Sequence, residues 1–130
     1  MSALDSYRQS LDAGVKVLSV RTPWAWLIVN GFKDVENRSW TTSYRGSLLI
    51  HAGYHLESRG YEVAEKFGIR IPGDLPRGGL IGLVDLVDIT RSSDLPWYQP
   101  DHYAWLIANP QPMPFVPCRG LPGLFVPALE

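Results

Sequence analysis

The longest apolar run in the chain, Gly78-Gly79-Leu80-Ile81-Gly82-Leu83-Val84-Asp85-Leu86-Val87-Asp88-Ile89, sets the first limit on its fold. It falls short of the roughly 18 unbroken apolar residues of a membrane span, and Asp85 and Asp88 cut it. Leu80 to Thr90 is apolar at almost every position up to Asp85, so it reads as the longest strand and a central one. The remaining apolar runs are shorter, and the chain carries 12 Gly and 11 Pro to turn the corners between them.

Around that strand the other elements fall into place. Val15 to Val20 is rich in β-branched residues and suits a strand. Thr22 can cap, Pro23 fits a first helical position, and Trp24, Leu27 and Ile28 share one face, which predicts a helix over Pro23 to Asn30 ended by Gly31. Asp34 to Trp40 reads as a strand with Val35 and Asn37 on one face and Glu36, Arg38 and Trp40 on the other. Ser47 to Ala52 is a mostly apolar strand, and His55 to Phe67 a second helix with Leu56, Val63 and Phe67 on its buried stripe. Residues 71–79 and 92–100 read as loops, Tyr103 to Ala108 as a strand, Asn109 to Pro114 as a bend and Gly123 to Val126 as a short closing strand. The expected fold is mainly β with short helices: a small, partly closed barrel with a helix over one end.

A chain of 130 residues makes one domain and can bury a core of its own. Residues 1–15 show no clear periodicity and are expected to form a loosely held, flexible arm; the domain proper is expected over 16–130. One Cys forms no internal disulfide and offers no cysteine-based metal cluster. The first twenty residues hold no apolar run of signal-peptide length, so a cytoplasmic protein is expected. A net charge of −1 excludes a strong pull on nucleic acid by the whole chain but leaves room for a local patch.

The densest polar cluster is Gly31-Phe32-Lys33-Asp34-Val35-Glu36-Asn37-Arg38-Ser39-Trp40, where the first helix hands over to a strand. Glu36 and Arg38 share a strand face, and Lys33 at the turn can reach the same cleft, so a carboxylate is flanked by two cations. Such a setting favours the ionised carboxylate and holds an ammonium ready for a ligand oxygen; the plain alternative is a solvated salt-bridge network. Lys33 is expected to be exposed and to add nothing to core packing.

Three segments in order, Leu18-Ser19-Val20-Arg21-Thr22-Pro23-Trp24-Ala25, then Gly31 to Arg38 with its complete G-x-K-x-x-E-x-R pattern, then Leu48-Leu49-Ile50-His51-Ala52, resemble the ASCH domain, a family of the PUA-like superfamily of small β-barrels. The likeness extends more loosely to about residue 127. It implies a cleft between barrel and helix that binds RNA or a nucleotide-like ligand without a cofactor. Lys33, Glu36 and Arg38 match the motif positions facing that cleft, and Arg21 matches the polar residue leading into the first helix. Family members include amidohydrolases acting on N4-acetylcytidine through a Lys, a Thr three positions later and a Glu; here the position of that Thr is Glu36, which removes a candidate hydroxyl nucleophile. Other relatives are ribonucleases. The alternative reading is therefore a metal-independent hydrolase of RNA or acylated nucleosides, with Lys33 polarising the substrate, Glu36 as general base and His51 or Tyr103 assisting.

Among the aromatics, Trp24 and Trp105 read as packing residues. Trp40, on the face of Glu36 and Arg38, and Trp97, in a loop beside Tyr98, are the better candidates to stack a base. His51 ends an apolar strand and is either satisfied by a backbone carbonyl or a cleft base. Gly53 separates His51 from His55 and no third ligand is placed, so a metal site is not expected. Ser19, Ser43 and Ser47 lack a nucleophile elbow, and Cys118 lacks an assigned base.

Overall fold

In the computed structural model, residues 2–129 are described. Nine elements follow in the order α1 (Ala3–Asp12), β1 (Lys16–Thr22), α2 (Trp24–Val29), β2 (Val35–Arg38), β3 (Gly46–Leu56), α3 (Ser58–Lys66), β4 (Gly79–Thr90), β5 (Tyr103–Pro117) and β6 (Leu124–Phe125). The apolar run that opened the reading is β4, and it lies inside a six-stranded sheet of order β2-β5-β4-β3-β1-β6. Among the described residues only β1 and β3 pair in parallel, with Ser19 opposite His51; the other ladders are antiparallel. The sheet curls into a half-barrel, and Arg38 of β2 closes the seam by donating from Nη2 to the Ser19 carbonyl of β1, 2.7 Å away. A side chain thus stands in for the backbone pairing that a complete barrel would make between those strands. This mainly β, PUA-like half-barrel with short helices agrees with the fold expected from the sequence.

Strand periodicity gives the sheet two apolar faces. Leu18, Val20, Leu48, Ile50 and Ala52 enter one core with Trp105 and with Ala25, Ile28 and Val29 of α2. Their neighbours Val17 and Leu49 enter a second core with Tyr7, Leu80 and Phe125. Side chains alternate across a strand, so this split is the geometric consequence of burying both faces.

Four expectations need correction. The segment read as a loose arm contains α1, capped by Ser2 and Asp5 in reciprocal hydrogen bonds. Its Tyr7 is fully buried and donates to the Pro114 carbonyl at 3.0 Å. The expected bend at 109–114 is instead the second half of β5, beyond residues 103–106 that pair with β2; Pro110, Pro112 and Pro114 bring no N–H donors to it, and its ladder with β4 shifts register along this stretch. Helix α3 begins later than expected and buries Gly60 and Ala64, while Leu56 and Phe67 stay exposed. The reason is close approach: a Cβ on Gly60 would lie 2.7 Å from Cγ and Cδ of Pro23, so small residues form the contact face. Finally, Lys33 is buried, only 4% exposed, because the turn after α2 folds it inward.

Candidate functional site: a cationic cleft at the barrel seam

The open seam between β1 and β2 continues into a cleft of about 1050 Å³, walled by the ends of both strands, the start of α3, residues 96–99 and the segment 118–123. Glu36 is its electrostatic centre. Its Oε1 accepts from Lys33 Nζ at 3.2 Å and its Oε2 from Arg38 Nε at 2.9 Å, and Lys33 also donates to the Val35 carbonyl. The chain of contacts therefore runs Lys33, Glu36, Arg38, Ser19 backbone. Period 2 along β2 puts Glu36 and Arg38 on one face, as expected. Burial lowers the Lys33 pKa, and the facing Glu36 carboxylate opposes that shift. Two cations share one carboxylate, so the wall carries a net positive charge.

Aromatic rings line the opposite side. Lys33 Nζ lies 5.4 Å from the ring centroid of Trp24, whose indole meets Trp97 edge-on at 6.3 Å; Phe67 backs Trp97 at 4.5 Å. Trp24, expected to be a packing residue, is half-buried and lines the cleft, whereas Trp105 is fully buried. Trp40 touches both worlds: it lines the cleft, and its ring meets Trp105 at 4.8 Å. Trp97 is held in place by Asn37, whose Nδ2 donates to the Trp97 carbonyl and whose Oδ1 accepts from the Gln99 amide, both at 2.9 Å. The residue on the other face of β2 thus fastens the loop that carries the ring.

Arg21, Arg59 and Arg119 stand at the mouth. Arg21 pairs with Glu57 at 3.0 Å in an exposed contact. Among the described residues, no carboxylate pairs with Arg59 or Arg119. Counting walls and mouth, five Lys and Arg face two carboxylates, Glu36 and Glu57. In a chain of net charge −1 this is a concentrated positive site.

His51 is buried in the cleft wall with both ring nitrogens engaged. Nε2 lies 2.9 Å from the Cys118 carbonyl, which can only accept, so Nε2 carries the proton. Nδ1 then accepts from the Ser19 hydroxyl, also 2.9 Å away. Burial lowers the His51 pKa, which keeps the ring neutral.

The sequence-derived candidates therefore separate. Arg21, Lys33, Glu36, Arg38, Trp40, His51 and Trp97 come together around one cleft. Tyr103 does not: although it lies directly opposite Arg38 and so on the same sheet face, it packs against the core with Arg91 5.8 Å from its ring centroid, outside the cleft lining. Ser19, Asn37, Arg59 and Arg119 were missed as site residues. The pairings of Ser19 and Asn37 join segments 32 and 60 residues apart, and no local pattern marks them. No group of three or more His, Cys, Asp or Glu able to hold a metal occurs among the described residues. Nor, among them, is any helix long and apolar enough to cross a membrane.

A seamed PUA-like half-barrel with this motif on its open edge defines the class. The ASCH domain family model matches residues 18–115, and the chain belongs to that family of RNA-binding, PUA-like domains. It is similar to Activating signal cointegrator 1 of Homo sapiens, 33% identical over 92% of this chain, and to the Mus musculus protein of the same name, 32% identical over 92% of this chain. The chain spans about a quarter of those relatives, 23% of each.

Proposed function

We propose that the cleft binds single-stranded RNA or a nucleotide-like ligand, with one base against the Trp24 and Trp97 rings and phosphates at the mouth. The observation that carries this reading is the concentration of positive charge: the Lys33–Glu36–Arg38 wall holds one more cation than anion, and Arg59 and Arg119 add guanidinium groups with no carboxylate partner among the described residues. Arg groups fit phosphate oxygens bidentately, and an indole stacks any base face. The carboxylate of Glu36 and the ammonium of Lys33 supply an acceptor and a donor side by side, suited to the polar edge of a base. A ligand of this class needs no metal in such a cleft.

The alternative, with Glu36 as general base on water, fits less well. Both of its oxygens are already engaged within the wall, accepting from Lys33 and Arg38. Tyr103 lies outside the cleft and cannot assist there.

Fluorescence anisotropy with a short single-stranded RNA, across a salt series, tests the binding reading. The few cations at the mouth imply roughly two to four phosphate contacts and a log-log salt slope of about −1.5 to −3 for a single strand. Arg59→Ala with Arg119→Ala should flatten that slope by about 1 to 1.5. An unchanged slope, or no binding at low salt, would refute the assignment.

A further inference from the structure

The interaction between Ser19 and His51 serves neither the ion chain nor the aromatic side, yet it has the parts of a nucleophile and its base. Parallel register sets Ser19 directly opposite His51 on β1 and β3, so their side chains leave the sheet on the same face. The Ser19 hydroxyl donates to Nδ1 at 2.9 Å, and the Cys118 carbonyl fixes the tautomer from the far side at 2.9 Å. A third group thus orients the base, as the carboxylate does in a serine hydrolase triad, although a neutral carbonyl stabilises the imidazolium less.

The exposures differ in the sense such a pair requires. The imidazole is only 2% exposed, whereas Ser19 is half-buried and lines the cleft. Gly120 helps to seal the ring: a Cβ there would lie 2.7 Å from His51 Cε1 and 3.0 Å from Ser19 Oγ, so only a glycine backbone can pass so close. A histidine that merely needed its nitrogens satisfied could be buried with its partner; here the partner's hydroxyl faces a ligand-sized space. Arg38 adds a positive charge at the same residue, with Nη2 2.7 Å from the Ser19 carbonyl.

We propose that Ser19 and His51 form an acyl-transfer dyad that takes carboxylic esters, the natural class being an acyl group esterified to a hydroxyl of the nucleotide held in the cleft; the nucleotide part of this assignment rests on the binding reading above. Ser19 Oγ forms a bond to the ester carbonyl carbon and its proton passes to His51 Nδ1. The tetrahedral intermediate collapses with cleavage of the bond to the alcohol oxygen, which leaves with the proton from Nδ1. Water then attacks the acyl-serine, giving its proton to Nδ1, and the carboxylic acid departs as Ser19 recovers its hydrogen. The Arg38 guanidinium, held at the Ser19 backbone carbonyl, puts positive charge beside the reacting group, and burial keeps His51 in its neutral, proton-accepting form at neutral pH.

The test is covalent labelling of the full chain with diisopropyl fluorophosphate, read by peptide mass. Label is expected on Ser19, absent in Ser19→Ala, and slowed at least about tenfold in His51→Gln, as loss of a general base implies. A second variant guards against a misfolded histidine mutant: Ser19→Cys should react with iodoacetamide at least about tenfold faster than the half-buried Cys118 thiol of the same chain, since a thiol beside a base is held as the thiolate whereas burial raises the Cys118 pKa. An unlabelled Ser19 in the wild-type protein, or a Ser19→Cys thiol no more reactive than Cys118, would overturn the dyad. Saturating RNA should slow labelling of Ser19; labelling that proceeds in a protein binding no RNA would sink the binding reading and leave the dyad standing.

Discussion

Replacing Lys33 by alanine removes an ammonium that is only 4% exposed and leaves two acceptors short of a donor. The Val35 carbonyl loses its side-chain partner, and Glu36 keeps Arg38 but loses the contact at 3.2 Å. A buried acceptor left unpaired costs about 1–3 kcal/mol, and breaking a buried ion pair about 3–5 kcal/mol. Because Arg38 still neutralises Glu36 and the cleft can admit water to the vacated space, the expected loss lies at about 2–4 kcal/mol. At roughly 3–5 °C per kcal/mol for a chain of this length, Tm should fall by about 6–20 °C. The sequence reading, with an exposed lysine, implies a change within about ±0.5 kcal/mol. Urea and thermal melts decide between the two, and a Lys33→Ala protein as stable as wild type would refute the buried network. An alkaline scan gives an independent check. Burial lowers the folded Lys33 pKa below its ordinary 10.5, so in that window the unfolded chain binds the extra proton and stability from this group rises with pH. Tyr7, whose pKa burial raises, pulls the other way, but it is present in both proteins and cancels in the difference between wild type and Lys33→Ala.

Trp97→Ala should weaken RNA binding by about 1–3 kcal/mol, the worth of one stacked base, and an unchanged anisotropy titration would remove Trp97 from the site. Gly60→Ala sets a methyl 2.7 Å from the rigid Pro23 ring; a loss of about 1–3 kcal/mol in urea melts is expected, and a stabilised protein would contradict the close packing of α3. Stability should fall as pH drops below 6.5, because the unfolded chain protonates His51 while burial holds the folded ring neutral; in an acid titration of unfolding free energy, His51→Gln should show a flatter slope. Tyr7→Ala should cost about 3–5 kcal/mol, measured by denaturant melts, since α1 plugs the second core with this ring; a change below about 0.5 kcal/mol would return the segment to the arm first expected.

Much of the site could be read from local pattern. Glu36 and Arg38 lie two apart in a strand, and period 2 alone puts them on one face; the motif spacing brought Lys33 to the same cleft. The run at β4 marked the central strand because a strand covered on both faces has no use for alternation. The resemblance carried by the three segments named the family, which the match over residues 18–115 bears out.

What the sequence could not reveal depends on contacts made at long range. Lys33 looks like any surface lysine until the turn after α2 closes it over Glu36 and Trp24. Segment 1–15 has too few apolar residues to declare a helix by itself, and only the sheet face waiting for Tyr7 and Leu11 makes α1 a structural element. Tyr103 lies opposite Arg38 and on the same sheet face, yet it packs against the core and outside the cleft, a placement that no local pattern marks. The clearest case is Ser19. Nothing around it marks reactivity; the parallel register of β1 on β3 places it against His51, and the pass of Gly120 over the ring seals the base while the hydroxyl stays open to the cleft. Residue type and spacing determined which groups this chain owns and which strand faces they occupy; the curl of the sheet decided which of them meet, because contacts across a seam depend on the register of strands far apart in the chain.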